Sequence, residues 1–170
     1  NIDACVGYTQ RFRRKFISVK EKVSSGQIGD ITCAVTRTFM NRMGPQNELR
    51  LTQDRNFLTP MVVSGTHSLD MSLWLINDYP KSVYAKSSEK ILGELGTKDA
   101  TFGIFSFDDK IWSMNICWAL PKKWPGASYG LQMGFVGTRG AIDIEDTHRD
   151  VILASEYDQG KIYRPKGRED

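Results

Sequence analysis

The spacing of apolar residues changes twice in the first quarter of the chain. Residues 2–8 form a short apolar run, which predicts a strand. Apolar side chains then recur at helical intervals until residues 24–26 end the pattern: Phe12, Phe16, Val19 and Val23. From residue 30 to about residue 41, apolar residues alternate with threonines, which predicts a strand with one apolar face. The chain is therefore predicted to open with a strand, a helix and a second strand.

The next part of the chain contains one irregular stretch and one strong helix signal. Residues 44–57 include Pro45, several amides and mixed charges without a period, which predicts a long surface loop. Thr59 and Pro60 then form a good helix start, because threonine caps helices and proline is tolerated at the first helical position. Apolar content continues to Ile76, so a second helix is predicted to end there.

Strand patterns dominate the second half of the chain. Six segments alternate apolar with polar residues or are rich in β-branched and aromatic ones: residues 82–87, 100–107, 110–120, 129–136, 141–145 and 151–155. Asp108 and Asp109 form the two-residue turn of the clearest hairpin. The polar residues 157–170 are expected to fray.

These elements together predict an α+β fold. Two helices near the start and a run of strands favour an open, largely antiparallel or mixed sheet of about seven to nine strands, with helices over one face. One strand carries four large side chains on a single face: Trp112, Met114, Ile116 and Trp118. With few helices left to cover it, this aromatic stripe packs either against a second subunit or inside the fold, and the sequence leaves both open.

Composition narrows the class of protein. A chain of 170 residues with 40% hydrophobic and 25% charged residues fits one globular domain over residues 1–170. A net charge of +3 makes a nucleic-acid partner a poor expectation. No apolar run approaches the roughly 20 residues that span a bilayer, so no membrane partner is predicted. Because no initiator methionine is present, the chain is expected to be a fragment.

The cysteines indicate a reducing compartment. Cys5, Cys33 and Cys117 are odd in number, lack C-x-x-C spacing and each fall in a segment predicted as a strand. Buried free thiols in a cytoplasmic protein are the expected state, rather than a disulfide or metal ligands. No metal site is predicted.

One histidine stands out as a candidate for chemistry. His67 lies in the second predicted helix among small residues, which leave room for a molecule to approach the imidazole. An imidazole titrates near neutral pH, so His67 next to a hydroxyl substrate could act as an acid or base. Asp70 follows three residues later and can share its helix face. Spacing alone favours the plainer alternative, a helical histidine that only hydrogen-bonds its neighbours.

The other polar clusters leave their roles open. His148 falls in a polar turn, where a solvated side chain is expected. The basic stretch at residues 10–14 precedes a helix start, where cations are poorly placed, so it either meets an anionic partner or forms a solvated face. Residues 122–124, Lys-Lys-Trp between two prolines, either line a cleft or connect strands at the surface. No glycine-rich nucleotide motif, G-x-S-x-G or H-E-x-x-H occurs.

Four short segments follow one another in an order that matches a known domain: VGYTQRF at 6–12, SGQIGDI at 25–31, GTHSLD at 65–70 and FVGTRGA at 135–141. Together they resemble the carboxy-terminal domain of the Gfo/Idh/MocA oxidoreductase family, in which the third is a G-x-H-x-x-D helix and the fourth a strand-turn-strand. The resemblance runs from Val6 to about Ser155. It implies the sheet of the glyceraldehyde-3-phosphate dehydrogenase-like C-terminal domain.

The resemblance implies a function for the parent protein. An amino-terminal Rossmann domain would bind NAD or NADP, and that domain is not in this chain, so the fragment alone is expected to be inactive. His67 would face the nicotinamide and the reacting carbon of a sugar, polyol or related hydroxy or keto compound, as acid or base. Thr9, Gln10 and Tyr129 match substrate contacts, and Arg11 matches a recurrent arginine that either contacts substrate or is structural. The open sheet face would form homodimers or homotetramers.

One position departs from the family pattern. Many dehydrogenases of the family carry an aspartate one helical turn before the histidine, where this chain has Val63. Valine cannot accept a hydrogen bond, so it can neither fix the tautomer of His67 nor stabilise an imidazolium. Three hypotheses remain: an oxidoreductase in which His67 acts with a lysine of the missing domain, a protein that has drifted to another reaction, and a non-catalytic binding or assembly module of the same fold.

Overall fold

The computed structural model describes residues 2–51, 58–121, 129–145, 150–155 and 158–163. The helical elements are a 3-10 turn at Thr9–Phe12, helix α1 at Arg14–Ser24, helix α2 at Met43–Leu51, a π-helical segment at Met61–Gly65, helix α3 at Thr66–Ile76 and a 3-10 turn at Gly93–Leu95. The strands are β1 at Ile31–Asn41, β2 at Ser82–Ser88, β3 at Ala100–Ser106, β4 at Ile111–Leu120, β5 at Tyr129–Gly137, β6 at Gly140–Glu145, β7 at Asp150–Ser155 and β8 at Asp158–Tyr163.

These strands form one mixed sheet of eight in the order β2-β3-β4-β1-β5-β6-β7-β8. The central strand β1 runs parallel to β4 and antiparallel to β5, and every other neighbouring pair is antiparallel. Helices α1 and α3 pack on one face of this sheet. The α+β fold predicted from the sequence is therefore confirmed, and the count falls within the expected seven to nine strands.

The covered face of the sheet holds the core. Period-two alternation turns Trp112 and Trp118 of β4, with Phe135 of β5, toward the helices, where all three are buried. Phe16 of α1 and Leu75 of α3 belong to the same buried cluster as Trp112 and Phe135. The aromatic stripe of β4 thus packs inside the fold, which excludes the alternative that this stripe meets a second subunit.

The opposite face of the sheet has no helix over it. Its outward side chains include exposed apolar ones on four strands: Val35, Phe102, Ile104, Ile111 and Val136. Beside them runs a polar chain, in which Arg37 donates to the Gln132 Oε1 at 3.2 Å and Gln132 Nε2 donates to Glu145 at 2.9 Å. An open face of this kind was predicted. The sequence suggested the β4 stripe from Trp112 to Trp118 as its apolar surface, whereas the structure places other apolar residues there.

Two elements near the start differ from the prediction. Residues 2–8 form an irregular arm instead of a strand, because no neighbouring strand supplies the backbone partners that a strand needs; Ile2 and Val6 are exposed. Residues 44–51 of the predicted loop at 44–57 belong to helix α2, and residues 52–57 lie outside the described part. Asn41 Oδ1 caps it by accepting from Met43 N at 3.1 Å, and Pro45 lies in the first turn, where its missing N–H costs nothing.

The end of the described chain also differs. Residues 158–163 were expected to fray, yet they form β8, because β7 offers an edge with which their backbone pairs. Residue 157 and residues 164–170 lie outside the described part. No helix within the described ranges is both long and apolar enough to cross a membrane.

Two of the motifs that suggested the family meet at one corner of the fold. Thr138 N donates to Asp30 O at 2.9 Å, and Arg139 N donates to Ile28 O at 2.9 Å. Gly137 lies so close to the loop that a Cβ there would come within 2.2 Å of Ile28 O, and Gly29 has a φ of +72°. Gly29 and Gly137 therefore allow the loop after α1 to pack closely against the turn between β5 and β6.

Candidate functional site

The His67 imidazole is exposed at the start of α3. The ring of Tyr8, in the irregular arm, lies edge-on to it with ring centroids 6.4 Å apart and planes at 85°. Among the residues that the structure describes, no hydrogen bond or ion pair holds the imidazole. His67 is thus open to a molecule approaching from outside this chain, which is the condition that acid or base chemistry requires.

The π-helical segment at Met61–Gly65 lies directly before the start of α3, where His67 is the second residue. Trp118 Nε1, from the buried face of β4, donates to Ser64 Oγ at 2.8 Å, and Thr66 Oγ1 donates to Val62 O at 2.6 Å. One turn later Ser68 and Thr38 share a hydrogen bond of 2.9 Å between their hydroxyls. These bonds fix the helix against the sheet on both sides of His67. Segments of π-helix frequently occur at functional sites.

Asp70 partners Arg11 and not His67. Arg11 Nε donates to Asp70 Oδ2 at 2.8 Å, and Arg11 Nη2 donates to the other carboxylate oxygen. The Asp70 side chain is only 8% exposed, whereas that of Arg11 is 39% exposed. The hydrogen bond to Asp70 raises the pKa of Arg11 above its usual range. A bidentate pair of this kind ties the turn at Thr9–Phe12 to α3.

The other predicted contact residues fall near the same end of the helix. Thr9 is exposed at the start of its 3-10 turn, and Gln10 Oε1 accepts from Arg13 Nη1 at 3.0 Å. Tyr129 begins β5, with its backbone opposite Met40 of β1. Met40 in turn contacts Ser64, since the Ser64 hydroxyl donates toward its sulfur at 3.3 Å.

The remaining candidates do not join this group. His148 and the basic loop at 122–124 lie outside the described residues. Val63, in the π-helical segment, is half-buried and presents only a methyl-bearing side chain near the histidine. Within the described ranges, no three His, Cys, Asp or Glu side chains are grouped so as to hold a metal ion.

Two clefts flank the helices without containing His67. One of about 350 Å³ is lined by Arg11, Asp70 and Trp74. Lys20, which lines the second cleft, donates from Nζ to Trp74 O at 2.6 Å. Burial, followed by the charge of Arg11, lowers the pKa of Lys20. The second, of about 610 Å³, lies at the far end of α3, where Lys110 bridges two carboxylates. Ion pairs already engage Arg11 with Asp70 in the first cleft, and Lys110 with Asp78 and Asp109 in the second.

The sequence profile of the GFO/IDH/MocA C-terminal domain matches residues 16–143. The chain belongs to the GFO/IDH/MocA family. The family resemblance predicted from the four sequence segments is thereby confirmed, and the matched span includes His67, Asp70 and Tyr129. A sequence comparison with curated proteins gives no match.

Solved structures share the fold of this GFO/IDH/MocA domain. An inositol dehydrogenase homologue from Azotobacter vinelandii, in complex with NADH and myo-inositol, superimposes with a TM-score of 0.76 at 12% identity, covering 94% of this chain and 41% of that one. A structure from Thermotoga maritima assigned as an oxidoreductase gives 0.77 at 20% identity, covering 92% and 46%. Apo scyllo-inositol dehydrogenase from Lactobacillus casei gives 0.67 at 18% identity, covering 81% and 39%.

Identities this low establish the fold alone. The chain spans less than half the length of each of these proteins, and all three are oxidoreductases or dehydrogenases by description. By its family, the chain is a domain of the GFO/IDH/MocA C-terminal type.

Proposed function

We propose that residues 1–170 are the substrate-binding and oligomerisation domain of an oxidoreductase that uses NAD or NADP and acts on a sugar, polyol or related hydroxy or keto compound. The observation that carries this proposal is the exposed imidazole of His67 in a GFO/IDH/MocA domain. The inositol dehydrogenase homologue bound to NADH and myo-inositol supports the substrate class and the cofactor.

His67 is the proposed acid or base. When bound, the nicotinamide supplies the hydride acceptor or donor. The His67 imidazole takes the proton of the substrate hydroxyl during oxidation and returns it to the carbonyl oxygen during reduction. Its exposed position, without a competing hydrogen bond among the described residues, leaves both ring nitrogens accessible to a substrate oxygen.

The residues of this chain fit only the reacting end of a dinucleotide. The sequence lacks the G-x-G-x-x-G motif that holds a pyrophosphate at a helix N-terminus. We therefore assign most of the cofactor contacts to a separate nucleotide-binding domain. The coverage of less than half of each related structure supports that assignment.

Polar groups around His67 suit a polyhydroxylated substrate. Thr9 and Gln10 bring a hydroxyl and an amide to the turn beside the helix, and Tyr129 begins the strand at the same end. Arg11 has five N–H donors, of which Asp70 takes two, so the remaining ones can reach a substrate oxygen. We propose these four residues as the substrate contacts.

The open sheet face is the proposed oligomer interface. Exposed apolar side chains on β1, β3, β4 and β5 lie beside the polar chain that starts at Arg37. A second copy of the chain would cover them in a homodimer, which could pair again into a homotetramer. Three cysteines without disulfides, Cys5, Cys33 and Cys117, support a reducing cytoplasmic location.

Steady-state kinetics test the catalytic role. The chain would be joined to its nucleotide-binding domain and assayed for reduction of NAD and NADP with sugars, polyols and inositols. His67→Ala is expected to lower kcat by about 10²- to 10⁴-fold, since a positioned acid or base contributes that much. His148→Ala, at the other histidine of the chain, is the matched control. Undiminished turnover by His67→Ala would contradict the assignment.

Val63 supports a second function, a non-catalytic binding or assembly module. A valine cannot stabilise the imidazolium that proton transfer produces. If this module is the true function, the joined protein binds NAD or NADP but turns over none of the substrates. Val63→Asp would then create activity, whereas in a working enzyme it changes an activity that already exists.

A further inference from the structure

Two non-glycine residues among those described have positive φ angles, and only one has a local explanation. Asn77, with φ 57°, ends α3 as its C-cap, and its N–H donates to Leu73 O at 2.8 Å. Asparagine commonly adopts this conformation at a helix end. Tyr8, with φ 39° and ψ 64°, adopts it before a short 3-10 turn, where the bulky side chain makes it costly.

The strained backbone at Tyr8 brings its ring to His67. Tyr8 is half-buried, and its ring stands edge-on to the imidazole at 6.4 Å. The next turn holds this arrangement, since Arg11 N donates to Tyr8 O at 3.1 Å and the Arg11 guanidinium is bound by Asp70 of α3. Tyr8 is thus linked to α3 at two points. Its ring contacts His67, and its backbone carbonyl is bound to Arg11, which pairs with Asp70.

No other described group orients the imidazole. His67 has no hydrogen bond within the described ranges, and Val63, one turn earlier, offers no acceptor. An acid or base must be held in a narrow range of orientations to work at full rate. Residues in sparsely populated backbone conformations persist where the surrounding structure imposes them, often at active sites.

We propose that Tyr8 is the positioning residue of His67: its aromatic ring, placed by the left-handed backbone, restricts the imidazole to one orientation. This proposal rests on the proposed acid or base role of His67. The ring carries the effect, so phenylalanine can replace tyrosine and glycine cannot. Glycine has the further property that it adopts positive φ without cost.

Glycine substitutions therefore separate positioning from stability. Tyr8→Gly and Asn77→Gly both place glycine at a positive φ, so neither is expected to lower the melting temperature through the backbone. The chain has only two histidines, His67 and His148, so their imidazole signals are readily assigned by NMR. Chemical shifts and relaxation of the two rings would be measured in the 170-residue chain.

The expected result is specific to Tyr8 and to His67. Tyr8→Gly removes the ring-current displacement of the His67 signals and increases the mobility of the imidazole, while the His148 signals stay unchanged. Tyr8→Phe restores both properties of His67, and Asn77→Gly leaves them as in the wild type. In the protein joined to its nucleotide-binding domain, Tyr8→Gly lowers kcat by about tenfold or more, with Tyr8→Phe as the rescue.

Other outcomes overturn the proposal without deciding the proposed function. If the His67 signals of Tyr8→Gly coincide with those of the wild type, the ring does not position the imidazole, whatever the activity. If Tyr8→Phe behaves like Tyr8→Gly, the hydroxyl and not the ring is responsible, and the proposal is wrong. Full activity of His67→Ala would instead remove the proposed function and leave the measured ring contact intact.

Discussion

Asp143 shows how single side chains on the open sheet face respond to their surroundings. Its Oδ1 lies 3.5 Å from where a Cβ of Gly134 would be, on the neighbouring strand. Partial burial first, and then the Glu145 carboxylate two residues later, raise the pKa of Asp143. A raised pKa means that the folded protein disfavours the charged carboxylate relative to the unfolded chain.

The stability of the domain should therefore depend on Asp143 with a definite sign. Because its folded pKa exceeds its unfolded value, Asp143 favours folding at pH below about 3.8, and this contribution is lost as the pH rises through the folded pKa. Asp143→Asn is expected to stabilise the protein at pH 7 by less than about 1 kcal/mol, because solvent screens the site. Urea unfolding at pH 7 and pH 3 measures the difference.

The matched control for this change is Asp108→Asn, on the exposed β3–β4 hairpin, where the partner is a solvated lysine. It tests the loss of a carboxylate outside the sheet face. Asp143→Asn that destabilises the protein at pH 7 would contradict the assigned direction.

At the scale of residues, the sequence indicates His67 but not what surrounds it. Small neighbours and an imidazole side chain are local properties, so they can be read from residues 64–70. The ion pair between Arg11 and Asp70 joins positions 59 apart, and spacing on one helix instead suggested that Asp70 would accompany His67. The left-handed backbone of Tyr8 has no sequence signal, because such conformations are expected of glycine or asparagine.

Helix α3, with the π-helical segment before it, meets the sheet through serines at four-residue spacing. Ser64 accepts from Trp118 and Ser68 shares a hydrogen bond with Thr38. Ser72, the third in the row, has a buried hydroxyl without a partner among the described residues. Small side chains let the helix approach closely, and the first two also anchor it around His67.

This row predicts opposite effects for the same substitution. Ser64→Ala leaves the buried Trp118 indole N–H without its acceptor, so a loss of about 1–3 kcal/mol in the free energy of unfolding is expected. Ser72→Ala removes a hydroxyl without a hydrogen-bond partner among the described residues, so it is expected to be neutral or stabilising. Chemical denaturation of both variants measures the contrast. Equal losses for the two would show that the Trp118 hydrogen bond contributes nothing specific.

Strands with one buried face were predicted closely, although the strand predicted at residues 2–8 is absent and β8 was not predicted. Period-two alternation located β1, β3 and β4 to within a residue or two of their ends, because each has one buried face. Helix α2 was missed, since Pro45 and the amides mask a nine-residue helix that buries Leu49. The π-helical segment was merged into α3, because five residues are too few to show a separate period.

For the molecule as a whole, the open sheet face is a surface whose role is testable. Ile104 of β3 and Val35 of β1 point outward from it and are about half exposed. Val83 of β2 is equally apolar and exposed, but its register partner Phe105 stacks on Trp112 of the covered face. The two faces thus offer a matched pair of apolar positions.

Charge placed on the open face should break the proposed oligomer. Ile104→Lys is expected to convert a dimer or tetramer to monomers, because an ammonium group in an apolar interface loses its hydration. Val83→Lys, on the other side of the sheet, is expected to leave the oligomer intact. Sedimentation velocity distinguishes the two. A wild-type protein that is monomeric at micromolar concentration would remove the interface proposal.

At this scale the sequence predicts the class of fold but not the strand order. Alternation assigns each strand a buried and an exposed side, yet it cannot tell which strands are neighbours. The aromatic stripe of β4 illustrates this, since the sequence left its partner open and the structure groups Trp112, Met114 and Ile116 with Phe16 and Leu75 in one buried cluster. The parallel pairing of β1 with β4 depends on contacts between distant segments.

The position of β1 at the centre of the sheet has a consequence for the order in which the chain folds. Thr36 meets Trp112 across 76 residues, and Arg37 meets Gln132 across 95. A ribosome therefore releases β1 long before either of its flanking strands exists. Until β4 and β5 emerge, the two edges of β1 offer their amide and carbonyl groups to other chains, as nascent edge strands do. Folding should therefore wait for β4 and β5 to pair with β1 across a long stretch of sequence. We expect the domain to fold slowly and to benefit from chaperone protection.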